Sequence, residues 1–352
     1  MSQALAVHQA LSRWGHEVTG VVAGRHGARS LPDYVTRAFA VSIVQLPSPG
    51  FVFIGSRAVN LAGTAWRALA EHAAWRASIR RLREAVEESR PDLVINFYEP
   101  LTGLAQLVDP LDVPVLSIAH QHMIGHPAHR TPFTALPDEI ALQLFSDLVG
   151  FRSWKLALSL YPAPDRLRRH TTVGPPILRM ELFALLPQEG GDYLVYLVNH
   201  GYHKEIRAWH DRHPLVGIRC FYDLPGAPEV EEVDPWLSFH RLDGEAFLRR
   251  MASCRAVVST AGFESISEAA WLGKPVFVVP VERHPEQQWN ARDVVQAGFG
   301  IADTTFRLDR LAELPARRDS AEFREWVSRM EEILQIVIER AVSCAVVRSS
   351  AP

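Results

Sequence analysis

The chain has 352 residues, 47% hydrophobic and 22% charged, with a formal charge of −3 at pH 7. That length suggests two domains of ordinary size, and the near-neutral balance, without basic runs interleaved with aromatics, argues against a nucleic-acid binder. The three cysteines, Cys220, Cys254 and Cys344, are far apart and lack zinc-ligand spacing, which fits reduced thiols in a cytoplasmic protein. The sequence has no apolar run long enough to span a bilayer and no signal-peptide pattern.

Residues 2–11 pattern as an amphipathic helix ending at Trp14-Gly15-His16, and residues 17–24 as a strand. A doubly wound domain opens instead with a strand and a glycine-rich turn. Residues 41–46 read as a strand ended by Pro47-Ser48-Pro49-Gly50. From about 56 to 88 the pattern is helical, with a break near Gly63, and carries Trp66, Trp75, Arg76, Arg80, Arg81 and Arg83. Such a helix fits a face on anionic lipid, or, with more weight, a solvated charged face over buried tryptophans.

Strands are expected at 92–97 and 113–118, the first followed by Tyr98-Glu99-Pro100, the second by a loop holding His120, His122, His126 and His129. The histidine spacing is not a helical metal motif, so no metal is expected. A neutral imidazole can take a proton from an attacking hydroxyl, which makes His120 and His122 candidate bases. Glu99 competes with both. Each of the three also fits a structural role.

Residues 158–161 could close the first sheet, and the proline-stiffened 172–179 reads as a crossing between domains 1–172 and 173–352. Residues 192–198 begin a second parallel sheet, followed by the turn Asn199-His200-Gly201-Tyr202. Short strands follow at 216–221 and 237–240. Then come a buried strand at 255–259, a small-residue turn Thr260-Ala261-Gly262, a helix at 263–272 punctuated by Gly273 and Pro275, and a strand at 276–279. A polar loop at 282–288 leads into a helix ending near Gly298. An amphipathic helix is expected at 320–342, with a weakly patterned tail after it.

Strand, turn, helix, strand is a βαβ unit, and its ligands bind at the carboxyl ends of the strands. The helix after Gly262 offers N–H groups and a positive dipole end to a pyrophosphate, and the glycine permits close approach. Glu268 could accept hydrogen bonds from both hydroxyls of a ribose, and Glu286 and Gln287 could hold sugar hydroxyls. Together these parts suit a nucleotide-sugar.

The run AGFESISEAAWLGKPVFVVP…EQQWNA resembles the donor-binding signature of GT-B glycosyltransferases. It is most similar to the group that includes the lipid II-forming N-acetylglucosaminyltransferase and diacylglycerol sugar transferases. The resemblance implies an α/β protein of two Rossmann-like, doubly wound domains facing a cleft, an acceptor domain and then a donor domain, with the final helix packing back toward the first. It implies donor contacts from Thr260, Ala261, Gly262, Phe263 and Ser265, from Glu268 to the ribose, and from Glu286, Gln287 and Gln288 to the sugar. Asn290 matches the family's Asn-Ala pair, either as a contact or as a brace for the helix start, while Trp289 reads as packing. His240 would frame the base, and Asn199 would stand on a second wall.

The implied reaction is inverting, metal-independent transfer of a sugar from a nucleotide-diphosphate donor, a UDP-sugar, to an acceptor hydroxyl on a lipid or cell-envelope glycan. The nucleotide-sugar is a substrate, so no cofactor is expected. The implied location is the cytoplasm, with peripheral contact to the inner face of the membrane. Relatives carry a strand and a Gly-His loop ahead of the helix that residues 2–11 resemble. The expectation is therefore that Met1 is internal to a longer protein and that the first domain lacks its first, central strand. Relatives also often have an aspartate near Asn96. Two other readings stand beside this one: a nucleotide-sugar 2-epimerase, and a nucleotide-sugar-binding protein without turnover.

Overall fold

The structure, a computed structural model, describes residues 2–25, 31, 33–49, 53–54, 58–59, 71–132, 135–197, 200–224, 226–282, 284–314 and 320–349. The chain divides into two compact α/β units, one of residues 1–52, 60–179 and 326–352, the other of 53–59 and 180–325.

The first unit opens with α1 (Ser2–Arg13), which buries Ala6, Val7 and Ala10. β1 (Val21–Arg25) and β2 (Ile43–Pro47) pair in parallel across the short α2 (Asp33–Ala38), with Val21 opposite Ile43. Next in the chain, β3 (Phe53–Ile54) and β4 (Ala58–Val59), which belong to the second unit, form an antiparallel pair. Then follow α3 (His72–Ser89), β5 (Val94–Asn96), α4 (Pro100–Val108), β6 (Val115–Ala119), α5 (Leu136–Val149), β7 (Trp154–Leu158) and β8 (Thr171–Gly174). Strands β5 to β8 form one parallel sheet in chain order. Among the described residues, β1 pairs only with β2 and β5 only with β6, so the parallel strands of this unit lie in two sheets. Apolar side chains of β2, α3 and α4, with Leu46, Ile79, Leu82, Leu101 and Ala105 at the centre, pack as one cluster. At Gly103 a Cβ would collide with Leu148 O and lie 2.8 Å from Val149 Cα, so α4 and α5 cross in backbone contact.

In the second unit, α6 (Met180–Phe183) leads to β9 (Tyr193–Leu197), α7 (His203–His210), β10 (Ile218–Tyr222), β11 (Val230–Glu232), β12 (Leu237–Arg241), α8 (Gly244–Ser253) and β13 (Ala256–Ser259). After these come α9 (Phe263–Trp271), β14 (Val276–Val278), α10 (Pro285–Gln296) and β15 (Gly300–Ala302). The sheet order is β11-β12-β10-β9-β13-β14-β15, parallel except for β11. Strand order reverses between β9 and β13, and the carboxyl edge at such a reversal is where open α/β sheets bind ligands. Buried Lys274 ties the unit together from within, its Nζ donating to Gln188 O (2.5 Å) and Cys254 O (2.7 Å).

The chain ends in α11 (Ala321–Ser328) and α12 (Met330–Ser349). In the first unit Trp326 Nε1 donates to Ser159 O (3.0 Å), and Arg340 pairs with Asp165 (2.7 Å).

Several sequence expectations shift. Ala58–Val59 lies in the stretch expected to be helical, yet it pairs with Phe53–Ile54. The strand placed at 158–161 is observed at Trp154–Leu158. Thr172–Gly174, expected to open the interdomain crossing at 172–179, lies instead in the last strand of the first sheet, Thr171–Gly174. Its Thr-Thr-Val run suits a strand, and the prolines that suggested a linker begin only at Pro175. The final helix breaks in two around Arg329.

Candidate active site

The turn after β13 is the most constrained feature of the second unit. Ala261, fully buried, takes φ +58°, a left-handed conformation that costs an alanine roughly 1–2 kcal/mol. Asn290, buried on α10, holds it there by donating from Nδ2 to Ala261 O (2.9 Å). The strain thus falls on Ala261, one residue before the glycine that the sequence nominated. Gly262 caps α9 at φ −76°, ψ 126°, and a Cβ on it would meet only Ser265 Oγ at 3.6 Å. Ser265 spends its hydroxyl on the same turn, donating to Gly262 O (3.1 Å) near Ser259 Oγ (3.3 Å).

The start of α9, from Phe263, carries the positive end of the helix dipole. Glu268 lies deeper in the helix and is buried. Among the described residues, Thr260 Oγ1 and Asn290 Oδ1 are buried polar atoms without a hydrogen-bond partner. In folded proteins such atoms are rare and call for a specific explanation.

At the start of α10, His284 acts as the cap: its Nδ1 accepts from Gln287 N (3.4 Å), with Pro285 at the first helical position. Burial lowers the His284 pKa, which keeps the imidazole neutral and able to accept. Sequence reasoning passed over His284, although a proline directly after it was a usable signal. Gln287 Oε1 accepts from Val281 N (2.7 Å), so its carbonyl end closes its own loop. Glu286 stands beside it, half-buried. Gln288 lines a cavity of about 660 Å³ at the ends of β14 and β15, lined also by Glu282, Arg292, Asp303 and Arg307. Those last residues had no readable motif.

His240 stacks on Phe221 (4.8 Å between centroids) and hydrogen-bonds Ser238 Oγ through Nε2 (2.8 Å). Its strand lies two places from β9, roughly 10 Å along the sheet. The structure therefore brings Thr260, Ala261, Gly262, Phe263, Ser265, Glu268 and Asn290 together, and sets His240 and Gln288 to either side. Asn199 lies outside the described residues. Trp289 is fully buried, as packing requires.

In the first unit, the histidine loop is packed into the protein. Ser146 Oγ donates to Gln121 O (3.1 Å), so it accepts from His122 Nδ1–H (2.9 Å), and His122 Nε2 accepts from Ser117 Oγ (2.8 Å). Both nitrogens are thereby committed. His120 Nδ1 donates to Leu158 O (2.7 Å). Burial, above all, pushes both histidines down to about 3. His126 is likewise occupied, donating to Pro164 O and accepting from Ala128 N, each at 3.1 Å.

Glu99 is set differently. Asn96 Oδ1 accepts from Glu99 N (2.7 Å) while its Nδ2 donates to Glu99 O (3.2 Å), which closes a turn holding Tyr98 at φ +59°. An aspartate at 96 could accept but could not donate. The Glu99 carboxylate caps α4 through Leu101 N (3.2 Å) and accepts from Ser48 Oγ. A Cβ on Gly24 would collide with it. The carboxyl ends of β1, β2 and β5 thus converge on one carboxylate.

Comparison with known proteins follows the same lines. Residues 2–315 match the profile described as Glycosyl transferase family 1. A 46-residue stretch is 46% identical to an uncharacterised glycosyltransferase of Methanopyrus kandleri, a match spanning 13% of this chain and 13% of that protein. The fold is similar to that of Acinetobacter baumannii MurG, at 14% identity and a TM-score of 0.52, over 96% of this chain and 94% of that one. It is also similar to Arabidopsis thaliana UGT89C1 complexed with UDP-L-rhamnose, at 14% identity and a TM-score of 0.55, over 97% and 92% of the two chains. The fold is that of the GT-B glycosyltransferases, and the chain belongs to glycosyl transferase family 1.

Proposed function

We propose that the chain transfers a sugar, of the hexose type, from a UDP-sugar to an acceptor hydroxyl, with inversion and without a metal. The observation that carries this reading is the turn at 260–262. It is strained at Ala261, braced by Asn290, and aims the start of α9 at the edge where strand order reverses. A braced turn of this kind fits electrostatic preorganisation toward a departing diphosphate. Buried Glu268 fits the ribose.

In the reaction the acceptor O–H gives its proton to a base while its oxygen bonds to the anomeric carbon, on the face opposite the leaving group. The bond from that carbon to the phosphate oxygen breaks, and its electron pair leaves on UDP. The N–H groups opening α9 meet the charge that develops there. Glu99 fits the base best. His122 has no ring nitrogen to spare, and a histidine held at about 3 is a poor proton acceptor at pH 7. The signature at 261–291 favours a lipid or cell-envelope glycan as acceptor, and action on the cytoplasmic side of the membrane.

Thermal-shift titration with UDP, GDP and TDP tests the donor. A ligand at a hundredfold excess over its Kd raises stability by about 2.7 kcal/mol. A UDP-selective shift lost in Glu268→Ala supports the reading, and no shift with any nucleotide sinks it. Glu99→Gln should keep the shift and lose transfer.

A further inference from the structure

The segment that opens α10 is tied together through one residue, His284. Its N–H donates to Val281 O (3.1 Å), its carbonyl accepts from Gln288 N (3.1 Å), and its Nδ1 accepts from Gln287 N (3.4 Å). In the other direction Val281 N donates to Gln287 Oε1 (2.7 Å). Cap and third helical residue thus tie each other in place, as in a capping box. Here an imidazole stands where serine or threonine is usual, and the glutamine reaches back past the cap to Val281. Pro285, at the first helical position, brings no N–H.

These bonds decide what the segment presents. A backbone N–H needs an acceptor, so the Val281 bond fixes the Gln287 amide with its oxygen inward and its NH2 as the end left to donate. Glu286 lies between the two tied residues and shares a face of α10 with Asn290, one turn further on. Asn290 Nδ2 reaches Ala261 O (2.9 Å), so this is the face that meets the turn at 260–262. Gln288 and Arg292 stand on the opposite face, where they line the cavity beyond β14.

The imidazole suits the task. It is half-buried, and burial holds its pKa down against the pull of Glu286, so Nδ1 keeps a lone pair for Gln287 N. With alanine at 284, Gln287 N would lose that acceptor, and the side-chain tie between 284 and 287 would be gone.

We infer that His284 is a positioning residue for the donor sugar: through Gln287 it holds the Glu286 carboxylate and the Gln287 amide where the sugar hydroxyls lie. The inference rests on the proposed UDP-sugar donor. The diphosphate and ribose fall to the 260–262 turn and Glu268, on another helix, so a change at 284 separates recognition of the sugar from recognition of the nucleotide.

Calorimetric titration of the full chain with UDP, and with UDP-glucose, UDP-galactose and UDP-N-acetylglucosamine without acceptor, reads the two apart. In His284→Ala, Kd for the sugar nucleotide that the parent binds most tightly should rise about tenfold, the loss of one hydrogen bond to a charged group, while Kd for UDP moves less than about twofold. His284→Asn restores an acceptor at the cap and should bring the sugar-nucleotide Kd back to within about threefold of the parent. Hydrogen exchange at the amides of Val281 and Gln287 should quicken in His284→Ala and stay near the parent rate in His284→Asn. Equal losses for UDP and the sugar nucleotides, or no loss for either, overturn the inference and leave His284 a cap for the fold alone. So does a loss that His284→Asn does not rescue. Those outcomes leave the donor reading standing, whereas a parent chain that binds no UDP defeats that reading and the inference with it.

Discussion

Gly262→Ala distinguishes a glycine that the chain needs from one that a ligand needs. Its φ of −76° and ψ of 126° are open to any residue, and the new methyl would stand 3.6 Å from Ser265 Oγ, an ordinary contact. Restricting the unfolded chain stabilises by about 0.4–1 kcal/mol. Alanine is a poorer helix cap than glycine by roughly 0.7 kcal/mol. The sum lies within about 0.5 kcal/mol of zero, and Tm should move by less than about 2 °C. A methyl over the opening N–H groups of α9 would nevertheless obstruct a diphosphate. Losing even one hydrogen bond to a charged group costs about 1.5–3 kcal/mol, at least tenfold in Kd. Calorimetric titration with UDP beside thermal unfolding reads both quantities. Unchanged UDP affinity would refute the reasoning, as would a loss of affinity accompanied by a large fall in Tm.

Three further outcomes are expected. Lys274→Met strands the buried carbonyl of Cys254 and the part-buried one of Gln188 and should destabilise by about 1–3 kcal/mol, read as a lower urea midpoint. Gly103→Ala forces apart the crossing of α4 and α5 and should cost about 1–3 kcal/mol, with the same readout and no change in UDP affinity. The third concerns pH. His120 and His122 are held at about 3 by burial and titrate near 6.5 when unfolded. Between those values the unfolded chain alone takes up protons, so stability falls as pH drops below about 6.5. At pH 5 the loss is about 2 kcal/mol per histidine. His122→Gln should flatten the fall seen in urea unfolding between pH 7.5 and 5.

The second unit was legible where its signals are local. The strand at 256–259, the helix ending before Gly273 and Pro275, and the strand at 276–278 each announce themselves through neighbouring residues, and the structure follows them closely. In the first unit the same reasoning misplaced Thr172–Gly174, because the prolines that follow spoke louder than its pairing with β7.

What the sequence by itself determined is the family signature, the βαβ unit that carries it, and the chemical types gathered on its rim. Only the tertiary structure decided how those groups are used. Ala261 takes the strained conformation because Asn290, 29 positions along the chain, holds its carbonyl. His122 is spent between Ser117 and Ser146, and His120 on Leu158, while Glu99 gains its place from the ends of three strands. Backbone preference is set largely within a few residues of chain. Burial, protonation and hydrogen-bond partners depend on which distant groups come within about 3 Å, and those distances exist only once the chain has folded.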